Sequence, residues 1–385
     1  MKRWFVIWLI LLIWIELADA KQTSSKREIE KEDACKAYIV VEGTTGKILE
    51  GENIHLKWPP ASITKLMTAC LIMEKLGKGE LRLTDTIPVS REASKMGGSQ
   101  VFLKQGEAFT MEDLMKAMLV ASGNDAAYAL SEHVAGSKET FIDLMNEKAK
   151  ALNMLDTEFH SVHGLPPSKD EPDDLTSCYD LALLARELLK YPKVLEWTSI
   201  KTETFRGGTF IMTNHNKLLA RMSGVDGLKT GYYRKAGYNV VVTAKRSGLR
   251  LIAVVMGGAN ARIRDRIAEE KLKAHFAAYE MANIVNKGDV IDKEIMVPNG
   301  ELRKIKGVAK EGFSYPIPRS KKGAIKKEIN LPERIDAEIK EGQPIGEMTI
   351  RLDNEVIGKI EILSPVRVPK AGYWLRIKRA IGLGA

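Results

Sequence analysis

The sequence predicts an α+β fold in which strand patterns sit at the two ends of a helical middle and a second, short-stranded β region follows. Two observations carry this. β-branched runs occur near residues 37–50 and 238–256, whereas apolar residues recur at three- and four-residue spacing between them. After Gly288 the helical period fades into short β-biased segments separated by Pro and Gly. Strands and helices do not alternate one for one, so repeated βαβ units are excluded. A length of 385 residues suits two or three domains, and 28% charged against 44% hydrophobic residues excludes a disordered polymer.

The elements follow in order. Lys2 and Arg3 precede an unbroken apolar run from Trp4 to Ile15 and the small-residue triplet Ala18-Asp19-Ala20. A run this short reads as an export signal over 1–20 rather than a bilayer span, with an uncleaved N-terminal anchor as the alternative. Residues 21–32 are polar and without period, a linker. Export places the working part outside the cytoplasm and argues against a nucleic-acid partner. A hairpin is predicted over 37–50 around Gly43-Thr44-Thr45-Gly46, then helices over 62–75, 111–119, 126–134, 140–152 and 181–189. Strands follow over 238–245 and 249–256, and a closing helix over 264–285, ending a first domain of 33–287. The β domain spans 288–368, with strands expected over 290–297, 301–309, 334–339 and 355–363. Cys35, Cys70 and Cys178 are too few and odd in number for a disulfide framework; Cys70 sits in an apolar helical pattern and reads as core.

The net charge of +9 favours an acidic surface. Residues 369–385 form a tail in which Tyr373, Trp374, Ile377, Ala380 and Ile381 share one helical arc, with Arg376, Lys378 and Arg379 opposite and no acid after Glu361. That pattern suits an amphipathic anchor on anionic lipid; docking of the helix on its own domain is the competing reading, since Leu375 falls on the charged side.

Three short motifs carry chemistry. Ser62-Ile63-Thr64-Lys65 puts a hydroxyl and an amine on one helical face, so Lys65 can serve Ser62 as general base. Ser122-Gly123-Asn124 lies between two helical patterns, where a hydroxyl and an amide can bond the amine and a substrate backbone. Lys229-Thr230-Gly231 enters the strand region: a fixed positive charge and a hydroxyl suit a carboxylate, and the glycine admits a close approach. Singly these are capping residues and surface lysines; together and in this order their chance occurrence is on the order of one in a thousand.

With these motifs, and with Gly97-Gly98-Ser99, His163-Gly164-Leu165 and Tyr179-Asp180-Leu181-Ala182, the chain resembles the low-molecular-mass penicillin-binding proteins that act as D-alanyl-D-alanine carboxypeptidases. The resemblance covers about 33–287 and extends to the β domain and basic tail. It implies a β-lactamase/transpeptidase-like domain, an antiparallel sheet flanked by helices, followed by a small all-β domain. It implies a penicillin-sensitive serine peptidase at the periplasmic or outer face of the membrane that removes the terminal D-alanine from peptidoglycan stem pentapeptides. Ser62 is then the nucleophile and Lys65 the base, neutral through burial and the charge of Lys229. Ser122 and Asn124 complete the proton network. The backbone N–H groups of Ser62 and Tyr232 form the oxyanion hole, Lys229, Thr230 and Gly231 bind the substrate terminus, and Arg264 lies near the carboxylate. An exposed helical arginine is the competing reading of Arg264. Two positions depart from the family pattern: Tyr233, where a small hydroxyl residue is common, and Ser161.

Rival functions follow from the same residues. A class A β-lactamase needs a deacylating Glu, for which Glu171 in Glu171-Pro172-Asp173-Asp174 is the one offer, and leaves the β domain without purpose. A D,D-endopeptidase of peptidoglycan cross-links uses the same motifs. A non-catalytic wall-binding or shape-organising protein has no chemical need of Ser62, Lys65 and Lys229. No cofactor is expected, since no glycine-rich phosphate loop follows a strand, and no metal: His160 and His163 lack a third ligand, and His163 reads as a loop hydrogen-bonder.

Overall fold

A computed structural model describes residues 34–169 and 171–381. The expected signal and linker lie outside these residues, as do the last four of the tail.

The first compact unit is built on a five-stranded sheet, in the order Ile48–Glu52, Ala37–Glu42, Leu249–Gly258, Gly237–Arg246, Val225–Tyr233. The N-terminal hairpin pairs antiparallel with Leu249–Gly258, so the two ends of the domain close into one sheet and the helical middle packs against it. The helices begin where the sequence offers caps: Thr110, Ser137 and Ser177 each accept an amide N–H three residues on, opening Met111–Leu119, Lys138–Ala151 and Cys178–Leu188. Lys65–Gly77 is buried on every side over residues 65–73, with Leu66, Met67, Ala69, Cys70 and Ile72 fully buried; a helix so predominantly apolar over that stretch belongs in a core rather than on a surface. Cys70 packs there as expected, and burial pushes its thiol up to about 12.

The closing helix differs from expectation. It spans Ala261–Ala278, and Tyr279–Val285 is a strand paired antiparallel with Phe313–Pro318. Glu280, Met281 and Ala282 are good helix formers, but an available partner strand outweighs local propensity. The second compact unit accordingly takes in the chain from Phe276, rather than 288, together with Ser247–Leu249.

That unit adds a five-stranded sheet in the order Val290–Met296, Lys304–Ala309, Glu355–Leu363, Pro344–Leu352, Ile325–Asn330, around a core of Ile295, Ile339, Ile350, Ile362 and Val368. Residues 334–339 are not a strand: only single bridges, Met296 with Arg334 and Ile339 with Val368, form there. Besides Tyr279–Val285, the strands Phe313–Pro318, Ile325–Asn330 and Pro344–Leu352 are not among those expected; the Lys-rich sequence of Ile325–Asn330 is mostly exposed. The tail forms a short helix, Tyr373–Ala380, with Tyr373 and Trp374 about three-quarters exposed, at 73% and 74%. Arg379, expected on the free basic side, instead donates to the carbonyls of Gly300 and Glu301 at 2.7 and 2.8 Å. The helix therefore docks through one cation while keeping its aromatic face open.

Candidate active site

Ser62 stands in a 3-10 turn, Ala61–Thr64, that leads directly into Lys65–Gly77. Ala61 enters the turn at φ 52°, a left-handed conformation that residues with a Cβ seldom adopt and that persists where neighbours over-determine the backbone. Two glycines supply that enclosure. A Cβ on Gly164 would meet the Ala61 carbonyl oxygen at 2.0 Å; one on Gly231 would meet the Pro60 carbonyl at 2.4 Å and the Ser62 nitrogen at 3.1 Å. Gly231 was expected to admit substrate. It admits the chain's own Ser62 segment, and so brings the strand Val225–Tyr233, an edge of the sheet, against the serine.

The Lys65 amine is buried and touches three groups: Ser62 Oγ at 3.1 Å, Asn124 Oδ1 at 2.6 Å and the His163 carbonyl at 2.7 Å. Asn124 Oδ1 is an acceptor because its Nδ2 donates to the Gly97 carbonyl at 2.6 Å. A neutral amine has two N–H donors and one lone pair. The two obligate acceptors consume the donors, which aims the lone pair at the Ser62 hydroxyl. The electrostatics agree: burial first, then the charge of Lys229, hold Lys65 well below the usual lysine range, against the opposing pull of Asp174 and Asp125.

Ser122 falls between Met111–Leu119 and Asn124–Ala135, and Asn124 opens the second of these helices. Both are buried, and Ser122 takes a φ of 63°. Among the described residues Ser122 is not a hydrogen-bond partner of Lys65; that contact belongs to Asn124. The next residue, Asp125, was missed: it accepts the amides of Val101 and Leu103 at 3.1 and 3.0 Å and so fixes the loop that holds Gly97 under Asn124.

Lys229 and Thr230 are buried in the edge strand, and Lys229 donates to the Thr230 carbonyl at 3.1 Å. Its charge is not fixed, contrary to expectation. Burial, then the nearby Arg264, bring it down to about 7. Arg264 is itself buried, at 4% exposure, and bonded to Asp265 at 2.7 and 2.9 Å, which overturns the exposed reading. Tyr232 is exposed and stacks on Tyr238 with ring centroids 4.1 Å apart. His163 is the loop hydrogen-bonder expected, its Nδ1 accepting the Leu165 amide at 3.1 Å. Its carbonyl is the part no motif revealed.

Glu171 is exposed and accepts the Ser168 amide of its own loop. Asp174, missed in the sequence, is buried with both oxygens occupied. Oδ1 accepts the amides of His160 and Ser161 at 2.7 and 2.9 Å, and Oδ2 the hydroxyls of Thr64 and Ser161 at 2.7 and 2.8 Å. Neither carboxylate is arranged as a base toward Ser62.

A serine held by an amine that cannot easily stay charged, beside an edge strand bearing a buried cation, defines a serine acyl-transfer site. Comparisons carry this further. The family described as D-alanyl-D-alanine carboxypeptidase matches residues 21–260, and the C-terminal domain of penicillin-binding protein 5 matches 279–370. D-alanyl-D-alanine carboxypeptidase DacF of Bacillus subtilis is 35% identical over 384 residues, covering 98% of this chain and 96% of its own. The crystal structure of penicillin-binding protein 5 from Haemophilus influenzae is similar at TM-score 0.74 and 29% identity, over 87% of this chain and 98% of that one. Penicillin-binding protein D2 of Listeria monocytogenes, solved in an ampicillin-bound form, matches at TM-score 0.58 and 33% identity over 63% of this chain and 97% of that one. The chain belongs to the D-alanyl-D-alanine carboxypeptidase family. It is a serine-type hydrolase whose catalytic domain is followed by a penicillin-binding protein 5-like β domain.

Proposed function

We propose that this carboxypeptidase cleaves the terminal D-alanine of stem pentapeptides through an acyl-enzyme on Ser62. The observation that carries the proposal is the partner set of Lys65, two acceptors and one hydroxyl, which suits a neutral amine acting as base. Lys65 takes the Ser62 proton as Oγ attacks the carbonyl between the last two D-alanines. The N–H groups of Ser62 and Tyr232 meet the oxyanion, where such donors are worth about 3 kcal/mol each. The C–N bond breaks, and the leaving amine receives the proton by way of Ser122, with Asn124 holding the amine of Lys65. Water then hydrolyses the ester. Lys229 and Thr230 hold the substrate carboxylate over Gly231, with Arg264 adding positive field behind Lys229. β-Lactams, which carry an acyl group and a carboxylate in the same relation, acylate the same serine.

The protein is further proposed to be exported and to work at the outer face of the cytoplasmic membrane, its tail lying on anionic lipid. The open Tyr373 and Trp374 face and the absence of acids after Glu361 support this. Fluorescent penicillin labelling and D-alanine release from a diacyl-D-Ala-D-Ala peptide test the chemistry. Both are expected, and both are lost in Ser62→Ala; labelling that survives this change refutes the nucleophile. A chain ending at Val368 should lose binding to anionic vesicles, and undiminished binding refutes the anchor.

A further inference from the structure

The two positions that depart from the family pattern, Tyr233 and Ser161, hydrogen-bond to adjacent aspartates. On the edge strand, residues 229, 231 and 233 share one face: Lys229 is felt by Lys65, Gly231 abuts the Ser62 segment, and the Tyr233 hydroxyl donates to Asp173 Oδ1 at 2.6 Å. Asp173 is also paired with Lys235. The next residue, Asp174, collects Thr64, His160 and Ser161, and Ser161 Oγ in turn accepts the Gly164 amide at 2.8 Å. Between Ser161 and Gly164 lies His163, whose carbonyl receives one of the two N–H groups of Lys65. Thr64, bonded to Asp174, is the residue before Lys65 in the chain. Hydrogen bonds and the peptide links between neighbours Asp173-Asp174, Thr64-Lys65 and His163-Gly164 therefore connect the strand that carries Lys229 to both sides of the base.

We propose that Asp173 and Asp174, clamped by Tyr233 at one end and by Ser161 and Thr64 at the other, are positioning residues that set the aim of Lys65 on Ser62. The unit rests on the reading of Ser62 and Lys65 given above. Neither aspartate touches the reacting atoms. Asp174 has no acceptor capacity to spare, and Asp173 is turned to the strand. Their effect is geometric: Leu175 and Thr176 stay bridged to Glu158 and Trp58, so losing the Tyr233 bond shifts Asp173 locally, and that shift passes through Asp174 and Ser161 to the His163 carbonyl. The amine then loses an acceptor and its lone pair leaves the serine. Ser161 and Tyr233 make sense together as two ends of one strut.

Asp174 has a second effect. The charges that reach Lys65 come from Lys229 on the strand, Asp125 at the start of Asn124–Ala135 and Asp174 on the loop. His163 beside it is neutral, its imidazole pushed down to about 3 by burial, then Lys65. Asp174 favours the charged amine, so its neutralisation should ease deprotonation of Lys65.

The test is the rate constant for penicillin acylation across pH, with D-Ala release measured in parallel. Tyr233→Phe, which removes one oxygen, should slow acylation about tenfold with KM and melting temperature near those of the parent, as misaimed reacting groups do. Asp173→Ala should cost about the same factor, and the double variant no more than either, because all three lose the same Tyr233–Asp173 bond and the exposed Lys235 pair that Asp173→Ala also removes is worth little. Lys235→Met, removing a cation whose side chain is 72% exposed, should stay within about twofold. In Asp174→Asn the two hydroxyls can turn to accept the new amide, and the acid limb of the acylation profile should move to lower pH. Wild-type acylation in Tyr233→Phe, costs that add in the double variant, or an unmoved acid limb in Asp174→Asn overturns the proposal. Labelling that persists in Ser62→Ala instead overturns the reading beneath it, so the two failures are distinct.

Discussion

Raising the pH through 7 should disarm carboxylate capture. Lys229 lies buried in the edge strand, where burial and then Arg264 bring its ammonium from 10.5 down to about 7. At about 1.4 kcal/mol per pH unit, that fall represents roughly 5 kcal/mol of lost preference for the charged form. The cost is carried by the empty site, and a substrate carboxylate offsets it by supplying the missing partner. Binding above pH 7 is therefore coupled to proton uptake. At about pH 8 only about one free enzyme in ten carries the charge, so kcat/KM for a substrate with a free terminal carboxylate should fall about tenfold per unit beyond pH 7. Titration with a carboxylate ligand at that pH should take up about 0.9 proton, read by calorimetry in two buffers of different ionisation enthalpy. A substrate amidated at its C-terminus should lack this limb altogether. Arg264→Gln removes the second cause of the shift and should move the limb upward. A profile flat to about pH 9 with no proton uptake refutes the reasoning, because a lysine that stays charged has no proton to gain.

Other expectations are as specific. Gly231→Ala should nearly abolish acylation, since the added carbon falls 2.4 Å from the Pro60 carbonyl and must push the strand off the serine; a variant labelling at the parent rate refutes this. Asn124→Ala leaves one N–H of Lys65 without its acceptor and should slow acylation by about 10² to 10³, with penicillin affinity before acylation little changed. The ligand-free enzyme should gain thermal stability as pH rises from about 7 toward about 10.5. In that window the unfolded chain still holds protons that folded Lys229 and Lys65 have released, so unfolding binds protons and stability rises with pH. Scanning calorimetry showing the opposite slope across this window refutes it. Arg379→Ala should speed hydrogen exchange in Tyr373–Ala380 by losing two bonds to carbonyls, with acylation unaffected; unchanged exchange means that the docking is not held there.

The parts of the site legible in the sequence are those whose chemistry is local. Ser62 and Lys65 are one turn apart, so their contact follows from helix geometry alone, and Ser122-Gly123-Asn124 and Lys229-Thr230-Gly231 are recognisable as short strings. What was not legible is what reaches Lys65 through tertiary approach. His163 acts through a backbone carbonyl, which every residue has, and Asp173 and Asp174 sit in a charged run that reads as a surface loop until Tyr233, 60 residues on, is seen to bond it. Asp125 was overlooked for a similar reason, because its partners are the amides of Val101 and Leu103 rather than side chains. The fold shows the same division. Periodicity located the helix Met111–Leu119 and the strand Glu355–Leu363, where one face is buried and the pattern is imposed by packing. It failed at Tyr279–Val285, where pairing with Phe313–Pro318 decides the conformation against the helix preference of Glu280, Met281 and Ala282.

The burial of three basic side chains in one place gives the site its character. Arg264 lowers Lys229, and Lys229 lowers Lys65, yet only Arg264 is bonded to an acid, Asp265, while Asp174 and Asp125 reach Lys65 through space without touching its amine. Composition records these residues as three of 59 basic ones and assigns each a full charge. Burial makes that assignment wrong residue by residue: arginine cannot give up its proton, Lys229 lies near its midpoint at neutral pH, and Lys65 is held well below the usual lysine range, toward the free amine. Burial thus divides the labour that two identical side chains could not divide in water. One lysine can still be charged by an incoming carboxylate, and the other is left with a lone pair. Because the charge of Lys229 is among the causes that depress Lys65, a carboxylate that recharges Lys229 also disfavours protonation of Lys65, although its own negative charge opposes that effect with distance. Substrate capture and activation of the base are thus coupled through the same electrostatics, and a ligand without a carboxylate should leave the base less sharply set toward the serine.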